Sequence, residues 1–400
     1  MNMINAYLRA DGRKGIRNTI VVAYLVECAH HVSREIVHDY REQGVHLIGF
    51  PGCFPNAYAQ KMMERLCTHP NVGAVLLVSL GCECFNKGSL MEAIRKSDRP
   101  VKLIGIQDTG GTRKTISEGK AWVEQTIKQL EHTPRAKMSI DELVVGTICG
   151  GSDATSGLTA NPAMGRAFDF LVEQNATCIF EETGELIGME NWMAKRAENP
   201  ELGKEIIKTV AKAAKYYDAF GHASIGPGNA DGGLTTIEEK SLGAYAKSGQ
   251  SIISGIIKPG DVPLRGGLYL LDVVPDGPPK FGFPNISDNA EIAELMACGS
   301  HLSLFSTGRG SVVGSAISPV IKVCANPDTY KRMSDDMDVD AGRILEGRAT
   351  LDEVGREIYN LVLSVANGEK TKSEELGHQE FILTYKTFEP VGPACLPSAA

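Results

Sequence analysis

The alternation of apolar runs with helix-period segments constrains this chain more than any other feature. TIVVAYLV (19–26), HLIGF (46–50), VGAVLLVSL (72–80) and VKLIGI (101–106) read as nearly continuous apolar strands. Around them, residues 30–43, 57–66, 90–96 and 112–130 repeat apolar side chains at helical spacing. A strand that is apolar on both faces must be covered on both, and strands joined through helices run parallel. The pattern therefore predicts an α/β fold with mainly parallel sheets covered by helices. A polar connector, HTPRAKMSIDE (132–142), precedes a second set of strands: ELVVGTI (142–148), ATCIFEE (176–182), GLYLLDVV (267–274), HLSLFS (301–306) and PVIKVCA (319–325). For 400 residues, two domains are expected: a first α/β domain over 1–133 and a larger one over 134–400, both Rossmann-like. The Lys- and Glu-rich stretch 199–217 reads as a solvated helix face. From Asp335 onward, peripheral helices and an extended tail (390–400) are expected.

Parallel strands gather the loops after their carboxyl ends on one edge, where open α/β sheets place their ligands. In the first portion these loops are Glu27-Cys28, Pro51-Gly52-Cys53, Gly81-Cys82-Glu83 and Gln107 to Gly110, of which Glu27 and Cys28 read simply as a helix start. In the second they are CGGSDATSGLTANP (149–162), EETGE (181–185), Asp272 and TGRG (307–310). The loop from Cys149 is the densest of them. It sets a thiol, a carboxylate, four hydroxyl residues, an amide and three glycines between a β-rich run and the helix-period segment 162–174. Gly, Ser and Asn are ordinary turn formers, yet a purely structural turn rarely needs so many donors and acceptors.

Composition narrows the class. A net charge of −8 argues against nucleic acid or an anionic membrane as partner. No run of about 18 apolar residues is present, and MNMINAYLRADGRKG has charges where a signal peptide needs an apolar core. A cytoplasmic enzyme is expected, and its ten cysteines are then thiols rather than disulfides. Cys67, Cys178 and Cys298 sit inside apolar segments and read as packing. Cys53, Cys82 and Cys149 each follow an apolar run and touch a glycine.

PGNADGGLTTIEEKSLG (227–243) is the second strong signal. Its glycines can bring backbone amides onto an anion, and TTIEEK can start a helix whose N-terminus favours that anion. Thr235 and Thr236 could cap this helix or bind substrate hydroxyls, with capping the default for one of them. Lys240, one turn on, is either a catalytic or carboxylate-binding group or part of a salt-bridged surface. Arg309, between glycines, suits a carboxylate or phosphate. QDTGGTRKT (107–115) resembles another anion-binding turn, but neither G-x-G-x-x-G nor a Walker motif occurs, which disfavours a dinucleotide-dependent dehydrogenase. For metal there is no H-E-x-x-H and no paired C-x-x-C. The ligand candidates are scattered loop residues: Cys53, Cys82, Glu83, Cys149, Asp153, Glu182 and Glu185. Thiolates mixed with carboxylates suit iron(II), manganese or zinc better than magnesium. Few of the nine histidines fall in these loops.

In combination and in order, YLRADGRKGIRN (7–18), HPNVGAVLLVSLGCE (69–83), QDTGGTRKTI, CGGSDATSGLTANPAMG, EETGEL, PGNADGGLTTIEEKSLG, STGRGS and MDVDAG (337–342) resemble the catalytic portion of the altronate/galactarate dehydratase family. The resemblance spans almost the whole chain. It implies dehydration of a sugar acid, a hexonate or aldarate, to a 2-keto-3-deoxy acid, with Fe(2+) as metal and Mn(2+) as the other candidate. Against that chemistry the residues read as Lys240, Glu182 and Asp153 for catalysis, and Ser152, Ser156, Thr159, Asn161, Asn229, Thr235, Thr236 and Arg309 for substrate. Cys149, Glu182, Cys53 and Glu83 read as metal ligands. The general base is not identified. Family members often begin with a small SAF domain carrying H-x-H, whereas this chain starts at the next segment. A separate small SAF-domain subunit is thus the expected source of the missing histidines, and an oligomer is expected. Before the cysteine matching Cys53 the chain reads GFPG, where the family often has a histidine or polar residue. A sulfolactate sulfo-lyase large subunit, and a non-catalytic binding protein of the same fold, are the alternative readings.

Overall fold

The computed structural model describes residues 3–219, 225–277, 287–383 and 386; the tail from Pro390 lies outside the described residues. The chain opens with two short strands, β1 (Ile4–Leu8) and β2 (Lys14–Gly15), and then lays down β3 (Thr19–Tyr24), β4 (Val45–Gly49), β5 (Val72–Ser79) and β6 (Val101–Gly105). These last four form an all-parallel sheet of order β4-β3-β5-β6. Alternation along β3 explains why its run is apolar throughout. Ile20 and Val22 enter a core with Val32, Ile36 and Val123, while Val21 and Ala23 on the opposite face meet Met62, Met63 and Leu90.

The second sheet has seven strands: β8 (Val144–Cys149), β9 (Thr177–Phe180), β10 (Ile253–Ile257), β11 (Gly267–Leu271), β12 (Leu302–Thr307), β13 (Val320–Cys324) and β14 (Val339–Asp340), after a β7 (Arg135–Met138) that belongs elsewhere. Its order is β10-β11-β9-β8-β12-β13-β14, parallel throughout. Strands β8 and β9 are hydrogen-bonded neighbours near the middle, and that adjacency places the site. One apolar cluster contains Val21, Met62 and Leu77 of the first sheet region together with Ile148, Ile179, Leu271 and Phe305 of the second. The halves thus share a core, and helix Ala57–Cys67 packs on helix Asp288–Ala297 across it.

The α/β fold with parallel, helix-covered sheets is as expected, and four details differ. Residues 132–142 are not only a connector, because β7 pairs antiparallel with β1 from Ile4↔Met138 to Tyr7↔Arg135. Only Met138 of β7 is buried, so its charged residues give no apolar signal. Helix Leu351–Ala366 is not peripheral: Val354, Ile358, Val362 and Val365 are fully buried against helix Ala160–Glu173. The Lys- and Glu-rich helix Pro200–Ala219 likewise has an apolar side, with Ile206, Val210 and Ala213 buried. Strands β10 and β14 escape a reading based on apolar runs, since the middle residues of β10 are half-exposed and β14 has two residues.

Candidate active site and metal centre

The site sits where β8 and β9 end. Cys149 is the last residue of β8, and the chain after β9 turns at once into a 3-10 turn, Thr183–Leu186, with Glu182 as its N-cap. A 3-10 turn has about three residues per turn, so side chains at i and i+3 eclipse. Glu182 and Glu185 therefore project together. Cys149 Sγ lies 3.2 Å from Glu182 Oε1 and 3.2 Å from Glu185 Oε2, and the Cys149 amide donates to Glu182 Oε2 at 3.1 Å. Glu182 holds this position in the left-handed region, φ 69° and ψ 50°, a conformation that costs a non-glycine residue about 1–3 kcal/mol and concentrates at functional sites.

Two lysines come from one helix, Ile237–Ala246, and its C-cap. Lys240 and Lys247 are seven residues apart, two turns on one face. Lys240 Nζ pairs with Glu185 at 2.8 Å, while Lys247, 1% exposed, pairs with Glu182 and stands 3.9 Å from Glu185. Glycines permit this approach. A Cβ on Gly165 would lie 2.1 Å from the Ala246 carbonyl oxygen, and one on Gly243 would lie 3.1 Å from the Gly157 Cα. Thr236 caps the helix by accepting from the Glu239 amide at 3.2 Å, and Glu239 accepts in return from the amides of Thr235 and Thr236.

The electrostatics follow from burial. Burial first, and then Glu185, push the Cys149 thiol up to about 11, although Lys247, Lys240 and the Ser152 hydroxyl pull the other way. Burial alone would lower Lys240, but Glu185 and then Cys149 outweigh it and hold the amine above its usual value. Lys240 is thus an ammonium, suited to hold an anion rather than to take a proton.

The loop after Cys149 forms a wall beside this group. Backbone bonds staple it to its neighbours: Gly308 and Arg309 amides to the Gly151 oxygen at 3.2 and 2.9 Å, and the Ala154 amide to the Gly232 oxygen at 3.0 Å. Side chains extend the stapling. The Ser152 hydroxyl donates to Cys149 Sγ at 3.4 Å, the Asn229 amide group to the Ser152 oxygen at 3.0 Å, and Arg309 to the Gly228 oxygen. The Asp153 carboxylate accepts from the Thr155 amide and hydroxyl at 2.9 and 2.6 Å and from Asn326 at 2.9 Å, while the Ser156 hydroxyl accepts from the Asp153 amide at 3.1 Å. Thr159 donates to the Ala325 oxygen at 2.8 Å, and Asn161 bridges the Gly243 oxygen and the Ser306 hydroxyl at 3.0 and 2.6 Å. Asp153, Ser156, Thr159 and Asn161 are buried within this framework, whereas Thr235, Thr236 and Arg309 are exposed and Asn229 half-exposed.

Cys149, Glu182, Glu185 and Lys240 come together, and Lys247 joins them. Cys53 and Glu83 do not. Among the described residues the thiol and carboxylate atoms that converge within 4.8 Å of one another are those of Cys149, Glu182 and Glu185. Glu83 instead accepts from the Ser79 hydroxyl, from the Gly81 amide at 2.9 Å and from Lys87 at 3.2 Å, and Cys53 is exposed. The donor set of one thiol and two carboxylates, at a spacing that one ion with bonds of about 2.0–2.3 Å would span, fits a transition metal. Lys247 was not foreseen. The signal for it was its seven-residue offset from Lys240.

Comparison with known proteins covers both halves of the chain. The family model for the C-terminal domain of D-galactarate/altronate dehydratases matches residues 140–388, and that for the second domain of the same enzymes matches 6–131. The chain is 32% identical over 391 residues to (2R)-sulfolactate sulfo-lyase subunit beta of Chromohalobacter salexigens, covering 94% of this chain and 96% of that one. It is 27% identical to altronate dehydratase of Escherichia coli K12, over 95% of this chain and 77% of that one. It is also 33% identical to galactarate dehydratase (L-threo-forming) of the same organism, over 79% of this chain and 61% of that one. The chain therefore belongs to the D-galactarate/altronate dehydratase family, a family of sugar-acid hydro-lyases.

Proposed function

We propose that this protein is the large subunit of a two-component, metal-dependent lyase that dehydrates a hexonate or aldarate to a 2-keto-3-deoxy acid. The observation that carries this reading is the buried group of Cys149, Glu182 and Glu185 with its two lysines, in a chain of that family. Cys149, Glu182 and Glu185 would hold the ion, with iron(II) favoured over manganese by the thiol. Such an ion stabilises the charge that develops when a proton leaves the carbon next to a carboxylate. Lys240 binds the substrate carboxylate as a cation. Ser152, Asn229 and Arg309 line the side on which a polyol would lie, and Thr235 and Thr236 stand at the mouth. Asp153, Ser156, Thr159 and Asn161 shape the wall from behind. Loss of the β-hydroxyl needs a proton donor.

The two-component arrangement draws support from the name of the sulfo-lyase relative, a subunit beta that this chain matches over nearly its full length. A small SAF-domain partner would bring imidazoles, none of which belongs to the cluster of Cys149, Glu182 and Glu185 among the described residues. That same relative favours a second reading, elimination of sulfite from a sulfonated hydroxy acid. No helix of the described residues is long and apolar enough to cross a membrane. A cytoplasmic location accords with Cys53, Cys82 and Cys149 as free thiols. The test is anaerobic incubation with iron(II), the small subunit and a panel of hexonates, aldarates and sulfolactate. Accumulation of a 2-keto-3-deoxy acid is expected. Sulfite release would select the second reading, and turnover of no substrate would refute both.

A further inference from the structure

Lys247 is too deeply buried to meet a substrate, and the proposed chemistry gives it no task. The carboxylate oxygens around it supply one. Glu182 Oε2 accepts from the Cys149 amide at 3.1 Å and pairs with Lys247, while Glu185 Oε1 pairs with Lys240 at 2.8 Å. The other two oxygens, Glu182 Oε1 and Glu185 Oε2, each lie 3.2 Å from Cys149 Sγ. Lys247 stands 3.9 Å from the second of them, beyond hydrogen-bond reach. One oxygen of each glutamate is thus held by nitrogen, and the other is turned toward the thiol. A carboxylate held in this way through a charge-assisted bond has a single oxygen to give an ion. One sulfur and two oxygens leave an ion with open positions, as a catalytic metal site requires.

Lys247 is itself held from behind. Its amide donates to the Ala244 oxygen at 3.2 Å at the end of helix Ile237–Ala246, and the chain then turns at Gly249, φ 64°. Gly165 and Asp169, one turn apart on helix Ala160–Glu173, receive this turn. Asp169 is buried and accepts from the Gln250 amide at 2.8 Å and from the Ser251 amide and hydroxyl at 3.0 and 2.7 Å. A Cβ on Gly249 would lie 2.6 Å from that same Asp169 oxygen, and the left-handed backbone there also favours glycine. Arg196 closes the other side, donating to the Ser248 hydroxyl at 2.9 Å, the Ser248 oxygen at 3.1 Å and the Ser251 oxygen at 2.8 Å. An exposed lysine gives up rotamer freedom to make an ion pair. Here the backbone that carries the lysine is fixed on both sides, so the pair with Glu182 is set by the fold.

We infer that Lys247, fixed by Asp169 and Arg196, is the positioning residue that makes Glu182 a one-oxygen ligand of the metal and so keeps a coordination position open for substrate. The inference rests on the metal-dependent reading. Lys247 acts through Glu182 and touches neither ion nor substrate. Without it, Glu182 Oε2 keeps only the Cys149 amide and turns to the ion, which closes the position. Loss of a positive charge beside a dication and release of a carboxylate oxygen both favour the ion, so removing Lys247 tightens metal binding. A lysine with a merely structural role has the opposite signature, because a loosened site binds an ion less well.

The test loads the full chain anaerobically with iron(II) alone and needs no turnover. Affinity is read by competition with a chromophoric chelator. The mode of carboxylate binding is read from the iron–carbon distance in X-ray absorption, which shortens when both oxygens bind. The wild type is expected to bind iron through one oxygen of each glutamate. Lys247→Met is expected to shorten the iron–carbon distance and to tighten binding by about tenfold or more. Asp169→Asn keeps the lysine and the shape of its support; it should shift both quantities in the same direction and by less, and it decides the matter if Lys247→Met fails to fold. Wild-type distances with unchanged or weaker binding in the folded variants, or two-oxygen carboxylates already in the wild type, would overturn the inference and leave the metal reading intact. A wild-type chain that binds no iron would overturn both.

Discussion

The carboxyl edges of the two sheets carry similar residues and fold them to different ends. On the seven-stranded sheet, Cys149, Glu182 and Glu185 converge, buried, and are matched by Lys240 and Lys247. On the four-stranded sheet, Glu83 turns back onto its own loop and Cys53 faces solvent. Strand order is the physical difference. The loops after β8 and β9 follow hydrogen-bonded neighbours, about 4.8 Å apart, whereas β3 lies between β4 and β5. In addition, the Cys84 amide donates to the Cys53 oxygen at 2.9 Å, so those loops meet through backbone rather than by presenting ligands to a common point. Thiols and carboxylates after strands are thus insufficient; adjacency and a compensating cation bring Cys149, Glu182 and Glu185 together.

If compensation is what matters, Lys247→Met breaks the contrast most severely. It leaves Glu182 buried without its cation, at a cost of about 3–5 kcal/mol, read as a lowered urea midpoint. Glu182→Gln in the same chain should recover much of that loss, and additive losses would refute the pairing.

The seam that joins the two regions should fail in acid. His301 is buried, accepts from the Val144 amide at 3.0 Å and contacts the Lys14 oxygen at 2.9 Å, with the His69 ring 6.3 Å away. Burial lowers it from 6.5 to about 4, so the fold favours the neutral ring. Its contribution is complete above about pH 6.5 and is lost as the pH falls toward 4, about 1.4 kcal/mol per unit and on the order of 3 kcal/mol in all. Urea midpoints across that window, with His301→Gln as the flattened control, check this.

Glu182→Gln alone should reduce kcat/KM by at least about 100-fold together with loss of bound metal. Glu83→Gln is expected to do least, about 1–2 kcal/mol of stability from weakened local hydrogen bonds, with metal content retained. Equal metal loss in the two variants would erase the distinction between the edges.

Much of this was legible in the sequence. Apolar runs gave the strands of both sheets apart from β10 and β14, the loops after strands named Cys149, Glu182 and Glu185, and the glycine-rich segment 227–243 named Lys240. The strand order was not legible, so Cys53 and Glu83 read as equal partners of Cys149. Lys247 was hidden because a lysine in AYAKSGQ looks like an exposed C-terminal cation, and its burial comes from the Gly165 contact. NAEIAELMA reads as a helix with an ordinary polar side, which conceals that its acids face a core.

The most direct measurement is X-ray absorption at the iron edge of the anaerobically loaded chain and of its Cys149→Ser and Cys53→Ser variants. A sulfur ligand present in the wild type, kept in Cys53→Ser and lost in Cys149→Ser is the predicted result. A sulfur signal that survives Cys149→Ser, or disappears with Cys53→Ser, would contradict the assignment of the metal to the seven-stranded sheet.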